Sequence, residues 1–306
     1  MLRNCLILVF LFGIIGRLFA QQDPIFTQYM HIPVLINPAY AGSRGDVSLV
    51  ALNRQQWIGI DGAPKTMAIS LNSPLIDKVG VGLSLLYDEI GPVKQTRIYT
   101  DYSYHINLTA KIKLAFGLKG GMDVYYMNLR NLVGAQNETN FSFNGEQKMR
   151  FFNFGVGSYL YSDRFYAGFS IPRMLQNSLS ENTNTLHYIN KEDRHLFLTA
   201  GTVIDIAENI KFKPSTEIRL VNGSPISAEL SAAVLLHEKI WLGAMYRHHD
   251  SLGALIRFNL TDLLSIGYSY DLSTSQLRLY NQGTHEVFIS YDLILNTRKI
   301  LSPRYF

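Results

Sequence analysis

The stretch "KIKLAFGLKGGMDV", residues 111–124, decides the fold. Ile112, Leu114, Phe116, Leu118, Met122 and Val124 fall on one set of alternating positions. Lys111, Lys113, Gly117, Lys119, Gly121 and Asp123 fall on the other. A period of two belongs to a strand whose faces meet different surroundings. The same rhythm recurs along the chain. In "ISAELSAAVLL" (residues 226–236), Ile226, Ala228, Leu230, Ala232 and Val234 oppose Ser227, Glu229 and Ser231. In "IKFKPSTEIRL" (residues 210–220), Ile210, Phe212, Ile218 and Leu220 oppose Lys211, Lys213, Glu217 and Arg219. In "LLSIGYSYDL" (residues 263–272), Leu264, Ile266, Tyr268 and Tyr270 oppose Ser265, Gly267, Ser269 and Asp271.

Alternation alone also suits a water-soluble sandwich, so strand length and connections must discriminate. About fourteen strands are legible, starting near Val47, Thr66, Val79, Thr96, Ala110, Met149, Arg164, His195, Ile210, Ile226, Lys239, Ser251, Leu263 and Thr284. Many run to about ten residues, where soluble strands centre on about five or six and a bilayer crossing needs about 9–11. The connections are of two kinds. Residues 163–165, 207–209, 237–239 and 260–263 are tight, whereas 128–148, 172–194 and 273–283 are long. Tight turns on one rim and long loops on the other mark outer-membrane barrels. In hydrocarbon every unpaired backbone group costs several kcal/mol, so the sheet must close. The expected fold is all-β: a transmembrane antiparallel β-barrel of about fourteen strands.

Composition agrees. Of 306 residues, 17% are charged, below the roughly one quarter usual for soluble domains, and 12% are aromatic. The mean hydropathy of +0.04 is too low for a helical membrane protein. Residues 1–20 read as a signal peptide, with Arg3 ahead of an apolar run at 5–16 and Ala20 before the expected cut. The single cysteine, Cys5, lies in that leader, so the remainder has no thiol for a disulfide, a metal or a nucleophile. The leader's Arg3 and Arg17 account for two of the four net positive charges. The rest is too weakly basic to imply nucleic acid.

Three divisions are expected: the signal peptide (1–20), an N-terminal periplasmic or plug segment (21–46) and the barrel (47–306). Segment 21–46 holds Pro24, Pro33 and Pro38 and shows no sustained period. It also clusters Ile25, Phe26, Tyr29, Met30, Val34, Leu35, Ile36 and Tyr40, too apolar for a disordered tail. We expect it to fold into the barrel's periplasmic mouth as a partial plug, or to dock a periplasmic partner. "RQQWIGIDGAPKTMAISLNSPL" (residues 54–75) reads as a hairpin with Met67, Ile69 and Leu71 facing lipid and Gly62 supplying the turn. Trp57, Tyr87, Tyr99, Tyr126, Tyr161, Phe165, Trp241, Tyr246, Tyr270 and Tyr291 lie toward strand ends, where interfacial girdles form.

Five blocks carry a resemblance: "QDPIFTQYM" (22–30), "INPAYAG" (36–42), "RQQWIGIDGAPKT" (54–66), "GTHEVFISYDL" (283–293) and "SPRYF" (302–306). Together, and in this order, they resemble the PorP/SprF family, outer-membrane proteins of the Bacteroidota type IX secretion and gliding system. The resemblance implies a non-enzymatic barrel that supports secretion or surface attachment of adhesins with a C-terminal sorting domain. Expected partners are outer-membrane lipid and either type IX secretion components or such an adhesin, with no small-molecule substrate. A terminal Phe306 after the last alternating strand also resembles an outer-membrane assembly signal. The competing class is a fatty-acid-channel-like or porin-like transport barrel.

Candidate chemistry is thin. His248, His249 and Asp250 share a strand end, and His285 and Glu286 point to opposite faces. Asp101, Ser103 and His105 share one face, but at about 3.3 Å per residue Asp101 and His105 stand roughly 13 Å apart. No catalytic, cofactor-binding or metal-binding residue is assigned, and no cofactor is expected. A basic lumen row (Lys111, Lys113, Lys119, Lys211, Lys213, Arg219) faces Asp88, Asp123, Glu217, Glu229, Asp271 and Asp292. A paired, rigid interior is expected, with an anion-preferring pore as the alternative.

Overall fold

The period-two rows become strands that close on themselves. The computed structural model describes residues 23–128, 146–177, 192–293 and 305. The signal peptide, most of the two longest loops and Phe306 lie outside the described residues. The strands are β1 (Val47–Gln55), β2 (Lys65–Ile76), β3 (Val79–Ile90), β4 (Val93–Asn107), β5 (Lys113–Asn128), β6 (Glu146–Tyr161), β7 (Phe165–Ile171) and β8 (His195–Thr202). They continue with β9 (Ile204–Ala207), β10 (Ile210–Val221), β11 (Ser227–Leu236), β12 (Ile240–Arg247), β13 (Ser251–Asn259), β14 (Leu264–Ser273) and β15 (Thr284–Leu293). Each strand pairs antiparallel with its neighbours, and β1 pairs with β15. β8 and β9 are two halves of one stave along β10, so fifteen segments make a closed barrel of fourteen strands.

The break between β8 and β9 has a local cause. Pro214 sits inside β10 and has no N–H to give the ladder. In the register that sets Ser215 against Gly201, Pro214 lies opposite Thr202, the last residue of β8; the next residue, Val203, donates its N–H to the Arg164 carbonyl at 2.8 Å. Val203 shares the inward parity of His195 and Phe197 and is buried.

The two rims differ as expected. Turns 77–78, 108–112, 162–164, 208–209, 237–239 and 260–263 share a rim with the start of β1 and the end of β15. His237 and Glu238, both at positive φ, make the two-residue turn there that matches strand twist. The opposite rim carries 56–64, 129–145, 172–194 and 274–283, together with the tight turns 91–92 and 248–250. The 54–75 hairpin is β1–β2, and Gly62 holds φ +74° in its turn.

The outer wall is apolar. Met67, Ile69, Leu83, Phe116, Leu118, Phe154, Leu230, Leu242 and Ile289 are exposed there, as a lipid-facing surface requires. The aromatic girdle is only partly realised. Tyr246 and Tyr291 face outward, but Tyr99 and Trp241 are buried on the lumen side, because their positions share parity with lumen residues.

The lumen is not an empty polar channel. Residues 23–46 run along it and form three short 3-10 turns, Tyr29–His31, Pro33–Leu35 and Pro38–Tyr40. Phe26, Tyr29, Met30 and Ile32 pack on Val50, Leu52, Ala68, Leu86 and Phe288 of the wall in a hydrophobic core. Val34, Ala39 and Tyr40 form a second core with Ala115, Tyr159 and Tyr166. The segment therefore plugs the barrel more deeply than a mouth. It extends from the long-loop rim, where Asp23 lies, to the opposite rim, where Val47 opens β1.

Candidate functional site: a lumen filled by its own chain

Parity along each strand selects the residues that meet the luminal segment. Arg54 of β1 shares its row with Val50 and Leu52 and faces inward. One Arg54 Nη donates to Thr27 Oγ1 and to Glu286 Oε2, both at 2.9 Å. The other Nη donates to Asp271 Oδ2 at 3.0 Å. Glu286 in turn accepts the backbone N–H groups of Thr27 (3.1 Å) and Gln28 (2.8 Å). Side chains from three strands thus grip two consecutive residues. Their charges are paired and hydrogen-bonded, which buried ions need in a low dielectric.

At the long-loop mouth, Asp23 is the hub of a second network. It pairs with Arg97 at 2.7 Å, with Arg173, and with His195 Nδ1 at 3.5 Å, and its carbonyl accepts from Arg219 at 3.1 Å. Arg173 also pairs with Glu192 at 2.9 Å. Burial opposes the charge on Asp23, but Arg173, Arg97 and His195 outweigh it and hold its carboxyl well below 3.8. Above this network lies an open cavity of about 830 Å³, lined by Trp57, Asp88, Tyr125, Asp193, Pro225 and His248 among others.

The other end of the segment is held differently. Asn37 caps the third turn by accepting the Ala39 N–H at 3.0 Å, and its amide donates to the Ser158 carbonyl at 3.0 Å. Ser170 donates to the Ile36 carbonyl and Lys119 to that of Val34, at 2.6 and 3.0 Å. The wall beneath is glycine. A Cβ at Gly117 would lie 2.2 Å from the Ala39 nitrogen, and one at Gly80 would lie 2.1 Å from the Ala41 oxygen. Only glycine admits backbone this close.

The expected polar sets fall into place as fasteners. Ser103 Oγ and His105 Nε2 both bond the Ala41 carbonyl, at 2.6 and 2.9 Å, and Tyr161 OH meets His105 Nδ1 at 2.8 Å. Asp101 pairs with Lys119 at 2.8 Å, away from His105. Ser103 Oγ also lies 2.9 Å from His105 Nε2, both groups being tied to the luminal segment, while Asp101 is engaged by Lys119 and not by His105. The rings of His248 and His249 lie 3.8 Å apart at the 248–250 turn with their planes inclined by 57°, while Asp250 accepts from Arg247 at 2.9 Å. Among the described residues no group of three or more metal-capable side chains occurs. His285 faces outward to Tyr268, and Glu286 faces inward, as their adjacency requires.

The lumen row is largely paired: Lys119 with Asp101, Arg219 with Glu217 and Arg247 with Glu229. Lys111 and Lys113 depart from the expectation. They are exposed at the tight-turn rim, where β5 begins. Sequence reasoning misses Arg54, Arg97, Arg173, Arg247 and the role of Asp23. Row parity could have found Arg54, Arg97 and Arg247. Nothing local marks Asp23 or Arg173.

A model of the family described as "Type IX secretion system membrane protein PorP/SprF" matches residues 18–291. No curated protein matches the chain. Among solved structures, a FadL homologue of Pseudomonas aeruginosa is 13% identical, over 84% of this chain and 92% of that one, with a TM-score of 0.42. A mutant of the monoaromatic hydrocarbon channel TodX is 10% identical, over 84% and 92%, with a TM-score of 0.47. OmpF of Salmonella typhi is 9% identical, over 82% and 99%, with a TM-score of 0.38. These likenesses bear on neither substrate nor partner.

Proposed function

Since the chain belongs to the PorP/SprF family of type IX secretion system membrane proteins and is an outer-membrane β-barrel, we propose that it is a non-enzymatic docking and support element of that system. It assists the secretion or surface attachment of adhesins that carry a C-terminal sorting domain. The observation that favours docking over conduction is the filled lumen. Residues 23–46 occupy the path that an open porin keeps water-filled, and they are fastened at both ends. The long-loop rim, with its cavity of about 830 Å³, offers the recognition surface, since loops carry recognition on a rigid scaffold.

Gene deletion tests this reading. General permeability is expected to stay intact while a particular surface protein is lost. Normal display of every sorting-domain protein in the deletion strain would overturn it. The second reading, a fatty-acid-channel-like or porin-like transporter, draws on the same cavity. Planar-bilayer recording separates the two: a steady open conductance from the purified wild-type protein would favour transport.

A further inference from the structure

Inward-facing residues line up at one level across the first five strands. Arg54 stands opposite Thr66, Thr66 opposite Asp88, Asp88 opposite Gln95, and Gln95 opposite Tyr125. The two ends of this row are engaged. Arg54 pairs with Asp271 and Glu286, and the Tyr125 hydroxyl bonds Gln95 and Glu192. Asp88 is the exception. It is 5% exposed, and Thr66 Oγ1 donates to its Oδ1 at 2.6 Å. It forms no ion pair with any described residue. Arg97, on the same face of β4 as Gln95, is taken by Asp23 and by Gln95 Oε1, at 2.7 and 2.8 Å. Elsewhere the inner wall pairs its acids: Asp101 with Lys119, Glu229 with Arg247 and Asp292 with Arg44. A buried carboxylate without a cation is costly.

Asp88 also lines the open cavity of about 830 Å³ at the long-loop mouth. Ile25, Trp57, Pro64, Ile90, Val93 and Ile226 give the same cavity an apolar wall. Trp57 holds φ +50°, the left-handed region, with its N–H on Thr284 Oγ1 at 3.2 Å. Such strain persists only where the surroundings impose it, and it collects at ligand clamps. Asp193, half-buried on the cavity wall, adds a second acid that forms no ion pair with a described residue.

We propose that this cavity receives a lysine side chain on an extended segment of a partner protein, entering from the long-loop side, with its ammonium on Asp88 and its methylene stem along the wall at Trp57. The inference rests on the reading of that rim as a recognition surface, and names what is recognised. Three features select lysine. A hard metal ion needs several oxygen ligands, and no group of three or more metal-capable side chains occurs among the described residues. An apolar wall with a tryptophan suits an alkyl stem carrying a cation. Asp88 Oδ1 already takes the Thr66 hydroxyl, which leaves Oδ2 for a point charge and disfavours the two parallel bonds of an arginine fork.

Equilibrium dialysis of the full-length protein, in detergent at pH 7 and low salt, tests this. The probes are end-blocked, radiolabelled pentapeptides of four glycines around a central lysine, norleucine or arginine. The wild-type protein is expected to bind the lysine peptide about tenfold or more tighter than the norleucine peptide, which keeps the stem and lacks the charge. It should bind the arginine peptide several-fold more weakly than the lysine peptide. Asp88→Asn is expected to lower lysine-peptide affinity about tenfold or more and to leave the norleucine peptide unchanged. Trp57→Phe should weaken the lysine peptide about threefold. Equal binding of the lysine and norleucine peptides by the wild-type protein would overturn the proposal, even if Asp88→Asn fails to assemble. So would no binding of the lysine peptide, a preference for arginine, or full lysine-peptide affinity in Asp88→Asn. Dialysis involves no secretion, so its failure leaves the docking reading to be judged by gene deletion, and a failure there leaves the dialysis result standing.

Discussion

The two ends of the luminal segment are fastened by opposite means. Thr27 and Gln28 are gripped by charge, through Arg54, Asp271 and Glu286, beside a wide cavity. Residues 37–41 are gripped by shape, pressed onto Gly80, Gly117 and Gly157 and bonded through neutral groups. The charged grip depends on protonation and on every partner being present. The glycine floor depends on nothing but the absence of a methyl group. One segment thus has a firm lower end and an upper end whose hold can be weakened chemically.

The largest effect tests the charged grip. Glu286→Ala leaves Arg54 with two of its three partners and leaves two backbone N–H groups unmet. Breaking a buried pair costs about 3–5 kcal/mol. Amide exchange at Thr27 and Gln28 should lose most of its protection, while that at Ala39 changes far less. Equal losses at both ends would dissolve the comparison. Gly117→Val comes next, since overpacking costs about 1–3 kcal/mol. It should raise exchange at Ala39 first, and an unaffected Ala39 would show that the floor is not close-fitted.

Asn37→Ala removes a cap and a bond to the Ser158 carbonyl, worth about 1 kcal/mol, and should shift the thermal midpoint modestly. The smallest effect is expected from acid. The carboxyl of Asp23 is lowered below 3.8 in the folded protein. Its contribution is therefore complete above that value and is lost as pH falls through the lowered one. Followed by its carboxyl carbon resonance, Asp23 should stay charged at pH 5 and titrate only well below pH 3.8. Titration already near pH 5 would show that Asp23 is not held in its charged form.

Strand placement was legible because lipid and lumen impose a strict period. Val47, Val79, His195, Ile210, Ser251 and Thr284 begin strands where the alternation begins. The interior was less legible. Leu52, Leu86 and Phe288 are apolar residues on the inner face whose place is explained by residues 26–32 packed on them, not by any local pattern. Segment 21–46 announced a need for burial by its apolar content, yet its path carries no period, so its depth was hidden. Long-range charge partners were hidden for the same reason: Asp23 and Arg173 are 150 positions apart. Four of the five family-like blocks meet in the lumen through Asp23, Thr27, Asn37, Arg54 and Glu286, and the fifth contains Tyr305.

Arg54 stands directly across from Glu286 at the junction of the first and last strands. That junction joins the most distant parts of the chain, so it is the most expensive to close. Sliding one strand by a single position would turn Glu286 out to hydrocarbon and strand the guanidinium inside. The inner segment is therefore matched to one alignment of the seam: Thr27 and Gln28 meet Glu286 and Arg54 only when the final teeth of the zipper are in this register.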